Sequence, residues 1–294
     1  MQKITFKNKN EDSLTFSRSF PYLLESISGI GTAQSEPISQ RGFQQDGENY
    51  FGSLLEPRGI AFSLWIKGDS RQDLIEKRQV VMKVFNPKQG LGTLTYENEV
   101  GSWSIPASVD GSPNGGEGLK NALVQKFTVS LYCPDPAWLE AEAGEQEEEF
   151  TAFSGGLIFP FSSFEADNVV DTQLYLGTQG DTVVINNNGN LGTPLIIEFI
   201  GPGSRHRLID VDTGEKIELD VDLKDNESLF VETKPQHINA YKVVGSNEKL
   251  VSFQYLKPES QYFCLNEGTN NIKFSAAHGN ATAKINWTER FVGV

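Results

Sequence analysis

CPDPAWLEAEAGEQEEEF, residues 133–150, divides the sequence into two parts. Pro134 and Pro136 bracket Asp135, and because proline has no backbone N–H to donate to a strand ladder, the strand that precedes them must end here. The rest of the segment carries six glutamates and no lysine or arginine. Like charges at this density repel one another and resist burial, so the segment is predicted to be a solvated joint.

The length of the chain agrees with two domains. A chain of 294 residues can bury two separate cores, and domains of 100 to 200 residues are usual. We therefore predict a first domain over residues 1–136, an acidic joint over 137–150 and a second domain over 151–294. The alternative is that residues 133–150 form a surface loop within one domain.

Charge is distributed unevenly along the sequence. Residues 1–133 carry 14 basic and 14 acidic side chains, whereas residues 151–294 carry 11 basic and 18 acidic ones. A neutral first half and an acidic second half argue against nucleic acid or an anionic membrane as a partner. A neutral domain is also less protected against self-association, which favours assembly.

The two cysteines and the absence of long apolar segments indicate the compartment in which the protein is made. Cys133 and Cys264 fall on opposite sides of the predicted joint, which favours two free thiols in a reducing compartment. The first 14 residues contain no apolar core of a signal peptide, and nowhere do 18 apolar residues follow one another. We expect synthesis in a cytoplasm and no membrane span.

The first half has the pattern of strands with one helix, an α+β domain. Residues 58–66, RGIAFSLWI, alternate apolar side chains on one face of a strand. Between Gly68 and Asn86–Pro87 the period changes to that of a helix, with Ser70 and Asp73 at the spacing of a capping box. The predicted apolar stripe of this helix comprises Leu74, Ile75, Arg78, Val81, Met82 and Phe85.

The second half contains many short apolar runs and no long helical pattern. Runs such as TVVINN and PLIIEFIG are separated by turn residues, for example Asp212-Thr213-Gly214. This pattern predicts an antiparallel β-sandwich of the jelly-roll or lectin-like group, so the whole chain is expected to be mainly β.

The sequence does not contain a recognisable catalytic or metal-binding pattern. His206, His237 and His278 each lack a second ligand at metal spacing, and no nucleophile elbow or phosphate-binding glycine pattern is present. We predict no catalytic residue, no metal and no cofactor.

Acidic residues crowd one predicted hairpin in the second half: Asp210, Asp212, Glu215, Glu218, Asp220 and Asp222. A calcium site is one interpretation, although the closing glutamate is not at standard spacing. A glycosidase pair is another, since such enzymes use two facing carboxylates. The simplest interpretation is an acidic, solvent-facing hairpin.

Several stretches resemble the siphovirus distal tail proteins, a family of phage and prophage tail components. In the first half these are RGFQQDGENYFGSLLEPRGIAFSLWI (41–66), VFNPKQGLGTLTYE (84–97) and LYCPDP (131–136). In the second half they are NNNGNLGTPLIIEFIGPG (186–203), SLFVETK (228–234), FCLNEGTNNIKF (263–274) and INWTERFVGV (285–294). The glutamate-rich joint is longer and more acidic than the family pattern.

The resemblance implies a non-enzymatic structural protein of the virion tail. Its first domain would form a hexameric ring, and its second would be a galectin-like sandwich. Partners implied in this way are other copies of the chain, the tail tube protein, and tail-tip or tail-associated proteins, including a receptor-binding protein. The implied location is the virion tail, after synthesis in the cytoplasm of a bacterial host.

Residues 41–58 are the predicted contact segment of such a ring. Arg41, Phe43, Tyr50, Phe51 and Arg58 are residue types enriched at interfaces. The alternative for the three aromatic side chains is packing in the core of the domain.

A carbohydrate-binding sandwich that adheres to the host cell wall is the alternative function. It requires an aromatic platform on the second half. His206–Arg207 lacks the neighbouring asparagine of a galectin-like sugar site, so the resemblance to lectins concerns the fold alone. The third hypothesis, a glycoside hydrolase, would use the carboxylates near Asp212.

Overall fold

The computed structural model describes residues 2–115, 123–141, 145–153, 157–165, 168–176, 181–235, 238–244, 247–250, 253–277 and 280–294. Strands dominate these residues and they contain a single α-helix, so the predicted mainly β fold class is confirmed. The chain forms two compact units, residues 1–144 with 290–294, and residues 145–289.

The first unit contains eleven of the strands. They are β1 (Lys3–Lys7), β2 (Ser13–Phe16), β3 (Tyr22–Ser28), β4 (Ser35–Gln40), β5 (Asn49–Leu55), β6 (Arg58–Lys67), β7 (Gly92–Glu97), β8 (Ser102–Val109), β9 (Val124–Cys133) and β10 (Trp138–Glu140), with β23 (Arg290–Phe291) arriving from the far end of the sequence.

 Outside these strands, an isolated parallel bridge joins Ser17 to Leu23.

Nine of these strands form one curved sheet around the first core. Its path runs β2-β1-β7-β8-β9-β6-β3, while β10 pairs with β8 and with β23. The two end strands meet where the backbone N–H of Ser17 donates to Tyr22 O and that of Leu24 donates to Ser17 O. The sheet therefore curls until its first and last strands touch, in the manner of a barrel.

The core of the first unit is centred on aromatic rings. Phe85 stacks on Phe6 with 4.9 Å between ring centroids, and it lies 5.9 Å from Phe16 and 5.8 Å from Phe62. All four side chains are buried. Offset and tilted ring pairs at these distances add to the free energy gained by burying apolar surface.

The helix α1 (Arg71–Val84) is where the sequence predicts it. The Ser70 side chain accepts a hydrogen bond from the Asp73 N–H at 3.1 Å, and the Asp73 carboxylate accepts one from the Asp69 N–H. The predicted stripe is wrong at two positions, because Ile75 and Met82 are exposed. The residues that face the core are Leu74, Val81, Val84 and Phe85.

Among the described residues, no helix combines the length and the apolar character that a membrane span requires. A one-turn 3₁₀ helix, Pro87–Gln89, follows α1 and leads into β7.

The second unit contains the other twelve strands. They are β11 (Gln146–Phe153), β12 (Leu157–Glu165), β13 (Asn168–Leu176), β14 (Asp181–Asn187), β15 (Ile196–Ile200), β16 (Arg207–Asp210), β17 (Lys216–Glu218), β18 (Glu227–Glu232), β19 (Asn239–Val244), β20 (Asn247–Leu250), β21 (Gly268–Ser275) and β22 (Asn280–Trp287). A short 3₁₀ helix, Phe253–Tyr255, lies between β20 and β21.

These strands form an antiparallel sandwich. A six-stranded sheet has the order β11-β22-β15-β18-β19-β20, a four-stranded sheet has the order β14-β21-β16-β17, and β12 pairs with β13. Phe199 of the first sheet and Phe274 of the second lie 6.2 Å apart between ring centroids, within one buried cluster. Inward apolar residues that alternate with polar ones along each strand are what a two-layer core requires.

The acidic segment differs from the solvated joint that we expected over residues 137–150. β10 occupies residues 138–140, and β11 begins at Gln146 and pairs with β22. Glu147 and Glu149 are exposed and share the ammonium group of Lys284, at 3.3 and 3.7 Å, whereas Phe150 is fully buried. A strand can hold these glutamates because its alternate positions face solvent.

Neither Cys133 nor Cys264 forms a disulfide bond. Cys133 ends β9 in the core of the first unit, and burial raises the pKa of its thiol to about 12, against the opposing effect of the charge on Arg58. It therefore stays protonated at neutral pH.

His206 is fully buried between the sheets of the sandwich. Its ring lies 6.0 Å from that of Phe199 and 6.2 Å from that of Phe274. Burial lowers its pKa from 6.5 to about 4, and the charge of Asp222 opposes the change only in part. A buried neutral histidine makes the folded state sensitive to acid.

We expect the second unit to lose about 3 kcal/mol of its free energy of unfolding as the pH falls from 6.5 to 4, because only the unfolded chain takes up a proton at His206 in this window. Above pH 6.5 both states are neutral and this contribution is fully present. Hydrogen exchange of β21 between pH 7 and 4.5 measures the effect, after correction for the intrinsic exchange rates. The variant His206→Leu should flatten the dependence, and an unchanged slope in this variant would contradict the assignment.

Candidate assembly interface

β4 and β5 form a two-stranded antiparallel hairpin, residues 35–55, which we call the arm. Its register runs from Ser35 opposite Leu55 to Gln40 opposite Asn49, and within the described residues it pairs with no other strand. Every residue of β4 is exposed. The arm is therefore an extension of the first unit rather than part of its core.

Polar contacts define the turn at the end of the arm. The Arg41 side chain donates to Gly47 O at 3.2 Å and lies 3.9 Å from the Glu48 carboxylate, while the Ser39 hydroxyl donates to the same carboxylate. Gly47 has a φ of +78°, which glycine adopts without strain. These contacts shape the turn but leave its apolar side chain, that of Phe43, without cover.

Large apolar side chains on the arm face solvent. Phe43 is 94% exposed, and Tyr50 and Phe51 are each 66% exposed. Phe51 is the extra residue of a β-bulge, since Ser39 pairs with Tyr50 and Ile38 with Gly52. Core packing, the alternative that the sequence left open for these aromatic residues, is wrong.

Within the part of the chain that the structure describes, the arm lacks the packing that normally stabilises a hairpin. An isolated two-stranded hairpin is at best marginally stable in water, because neither face is covered by a third element. Ile38 and Leu54 add to the exposed apolar surface, and sequence reasoning did not single them out. The available sign of their exposure was that they lie on the two strands of this hairpin, Ile38 on β4 and Leu54 on β5. Exposed apolar patches of this kind mark surfaces for another molecule.

Arg58 lies apart from the other predicted interface residues. It is only 3% exposed, so it does not present its side chain to a partner and the interface prediction is corrected at this position. Arg58 begins β6 directly after the arm, and β6 is a central strand that pairs with β3 and β9. Its side chain therefore turns into the first unit.

The Arg58 guanidinium binds carbonyl groups instead of a carboxylate. It donates to Pro136 O at 3.0 Å, to Gly29 O at 3.0 Å, and to the carbonyls of Gly31 and Val292. It also lies 5.7 Å from the centre of the Trp138 ring, within the range of a cation–π contact. Burial lowers its pKa, but an arginine retains its charge at neutral pH.

The acidic hairpin of the second unit is engaged in structural contacts. Asp210 is buried and accepts a hydrogen bond from the Asp212 N–H at 2.9 Å, and Asp212 binds the Asn271 side chain at 3.0 Å. Glu218 pairs with Lys257 at 2.6 Å, which lowers its pKa. The solvent-facing interpretation is therefore wrong for Asp210 and Glu218.

Metal binding gains no support from the described residues. Among them, no group of three or more histidine, cysteine, aspartate or glutamate side chains is arranged to hold a metal ion. His206 is buried in the sandwich core, whereas His237 and His278 lie outside the described residues.

The aromatic platform required for sugar binding is likewise not found in the described part of the second unit. The exposed large apolar residues there are valines, and Trp287 is buried. Phe230 and Tyr241 stack face to face with 4.9 Å between centroids, so one face of each ring is covered by the other. Neither side chain is among the exposed large apolar residues of the described part of this unit.

Comparison with known families assigns the two halves of the chain. The family described as "Phage tail protein RIFT-related domain" matches residues 9–133, and that described as "Siphovirus-type tail component, C-terminal domain" matches residues 188–291. Together they span more than three quarters of the chain. No curated protein matches the chain significantly.

Solved structures share the fold. The crystal structure of the SPP1 Dit (gp 19.1) protein, described as a paradigm of the hub adsorption apparatus in phages that infect Gram-positive bacteria, has a TM-score of 0.65 at 14% identity and covers 99% of each chain. A chain of the phage P2 baseplate in its activated conformation with Ca has a TM-score of 0.51 at 13% identity and covers 97% of each chain. The corresponding structure with Sr has a TM-score of 0.50 at 12% identity, over 96% of this chain and 97% of the other.

Fold and domain matches together define a structural component of a phage tail. More narrowly, the chain belongs to the siphovirus distal tail protein family, as the sequence resemblance predicted. Such a protein is located in the virion tail.

Replacing Arg58 by methionine is expected to lower the free energy of unfolding of the first unit by roughly 3–5 kcal/mol, because a buried guanidinium that donates to four carbonyls is replaced by a side chain that donates to none. Arg58→Lys should fall between this variant and the wild type, since an ammonium group cannot reproduce the planar fork. Denaturant unfolding followed by tryptophan fluorescence measures both. Arg41→Met is the matched control, and its expected change is within about 0.5 kcal/mol because its side chain is exposed. Equal losses at positions 41 and 58 would contradict the assignment.

Proposed function

We propose that the protein is the distal tail hub of a siphovirus, in which six copies close into a ring that joins the tail tube to the tail-tip or baseplate proteins. The observation that carries this proposal is the arm, which presents apolar side chains to solvent and has no cover within the described residues. The family assignment supports it independently.

Ring closure is the form of assembly that suits such an arm. If the arm of each copy binds a different surface of the next, the contact is heterologous, and a heterologous contact whose rotation closes forms a ring. Burying the three exposed aromatic side chains supplies a contact of the residue type that dominates protein interfaces.

Charge is compatible with this arrangement. The balance of 14 basic and 14 acidic residues in positions 1–133 means that copies of the first unit meet without strong mutual repulsion. In this proposal residues 1–136 form the ring. The acidic sandwich that follows is then available for other tail proteins, and the ring offers one face to the tube and the other to the tip, including a receptor-binding protein.

Native mass across a concentration series tests the proposal directly. Light scattering should show a hexamer whose fraction of the total protein rises with protein concentration. Negative-stain images of this species should show a ring with a central hole. A strict monomer at every concentration would contradict ring closure by the chain alone.

The double variant Phe43→Ser and Phe51→Ser is expected to raise the concentration needed for half-assembly at least tenfold, since each buried phenylalanine contributes about 1.5–3 kcal/mol. Its free energy of unfolding should stay within about 0.5 kcal/mol of the wild type, because both side chains are exposed in the single chain. Val100→Ser, at an apolar position that is 87% exposed elsewhere on the first unit, is the control and should assemble normally. Unchanged assembly of the double variant would exclude the arm as the contact.

A further inference from the structure

Residues 290–294 follow the whole second unit in sequence but complete the first one. β23 pairs with β10, placing Phe291 opposite Trp138. Phe291 and Val294 pack against the first core, and the Val294 N–H donates to Ile30 O at 3.2 Å. Arg290 forms an ion pair with Asp135, so both ends of this short segment are fixed.

Gly293 of this segment lies against the backbone of Gly31 and Thr32, where residue 293 has no room for a side chain. A Cβ atom placed on Gly293 would be 2.8 Å from the carbonyl carbon of Gly31 and 3.0 Å from the Thr32 nitrogen. Real Cβ atoms do not approach backbone atoms so closely, so glycine at position 293 permits the contact. The reverse does not hold, because a Cβ on Gly31 would meet no atom within 4 Å.

Residues 29–34 are the root of the arm, since they connect β3 to β4. Arg58 holds this root from the other side of the hairpin by donating to the Gly29 and Gly31 carbonyls. The same guanidinium donates to Val292 O. The backbone N–H of Glu56 donates to Gln34 O at 2.8 Å, where the two strands of the arm leave the unit. The root, Arg58 and residues 290–294 thus form one connected network.

We infer that residues 290–294 are a positioning segment for the arm: by packing on its root through Gly293 and Arg58, they fix the orientation in which the arm meets the next copy. The inference rests on the proposed function of the arm. A chain in which the segment is undocked lacks the Val292 acceptor and the Gly31–Gly293 contact, so the root is free to move. An arm on a mobile root pays a larger entropy cost when it binds the next copy.

The variant Gly293→Ala tests this inference, with Gly31→Ala as its matched control. Hydrogen exchange of residues 29–34 reports on the root, exchange of β21 reports on the second unit, and light scattering reports on assembly. We expect Gly293→Ala to raise exchange in the root at least tenfold and to raise the half-assembly concentration at least tenfold, with β21 unchanged. Gly31→Ala should change none of the three.

Normal assembly of Gly293→Ala with a loosened root would overturn the inference, and so would weakened assembly with an unchanged root. If Gly293→Ala does not fold, Val294→Ala decides by the same comparison, because it keeps the backbone hydrogen bond to Ile30 and trims only the packing. The variant with serine at positions 43 and 51 separates the two proposals. Its normal assembly would refute the role of the arm, whereas its failure beside a normal Gly293→Ala would refute the positioning segment alone.

Discussion

A single buried cation holds the first unit together. The Arg58 guanidinium is surrounded by carbonyl oxygens that come from three separate parts of the chain, at Gly29 and Gly31, at Pro136 and at Val292. Arginine suits this position because its five N–H groups point in fixed directions within one plane, so each carbonyl meets a donor without rearrangement. Among the described residues no carboxylate joins this network, so carbonyl dipoles stabilise the charge and the positions of these three segments become mutually dependent.

The contrast between this network and the arm defines how the first unit works. At the root, the buried Arg58 side chain fixes the backbone through hydrogen bonds, whereas the hairpin that leaves it exposes Phe43 and the aromatic residues of β5. A rigid base and an uncovered end together favour binding, since a fixed orientation reduces the entropy lost on association. Stability and assembly therefore depend on different residues of one short stretch, with Arg58 serving the first and Phe43 the second.

Local patterns in the sequence predicted the local structure well. The helix after Gly68, the alternation in β6 and the many short strands of the sandwich follow from periods of a few residues, and all three are present. What could not be predicted depends on contacts between distant residues. In sequence, Arg58 has the features of an interface arginine. Its burial depends on distant partners such as Val292, 234 positions away, which no local pattern reveals. The exposure of Ile75 has the same origin, because the curved sheet covers only part of the helix.

The buried thiol of Cys133 has a consequence for the particle outside the cell. A virion outside its host meets dissolved oxygen and peroxides, which attack cysteine through its thiolate form. With a pKa raised to about 12 and no exposed surface, this thiol offers almost no thiolate to an oxidant. The core of the tail component is thereby resistant to oxidative ageing at this position, without needing a disulfide to protect it.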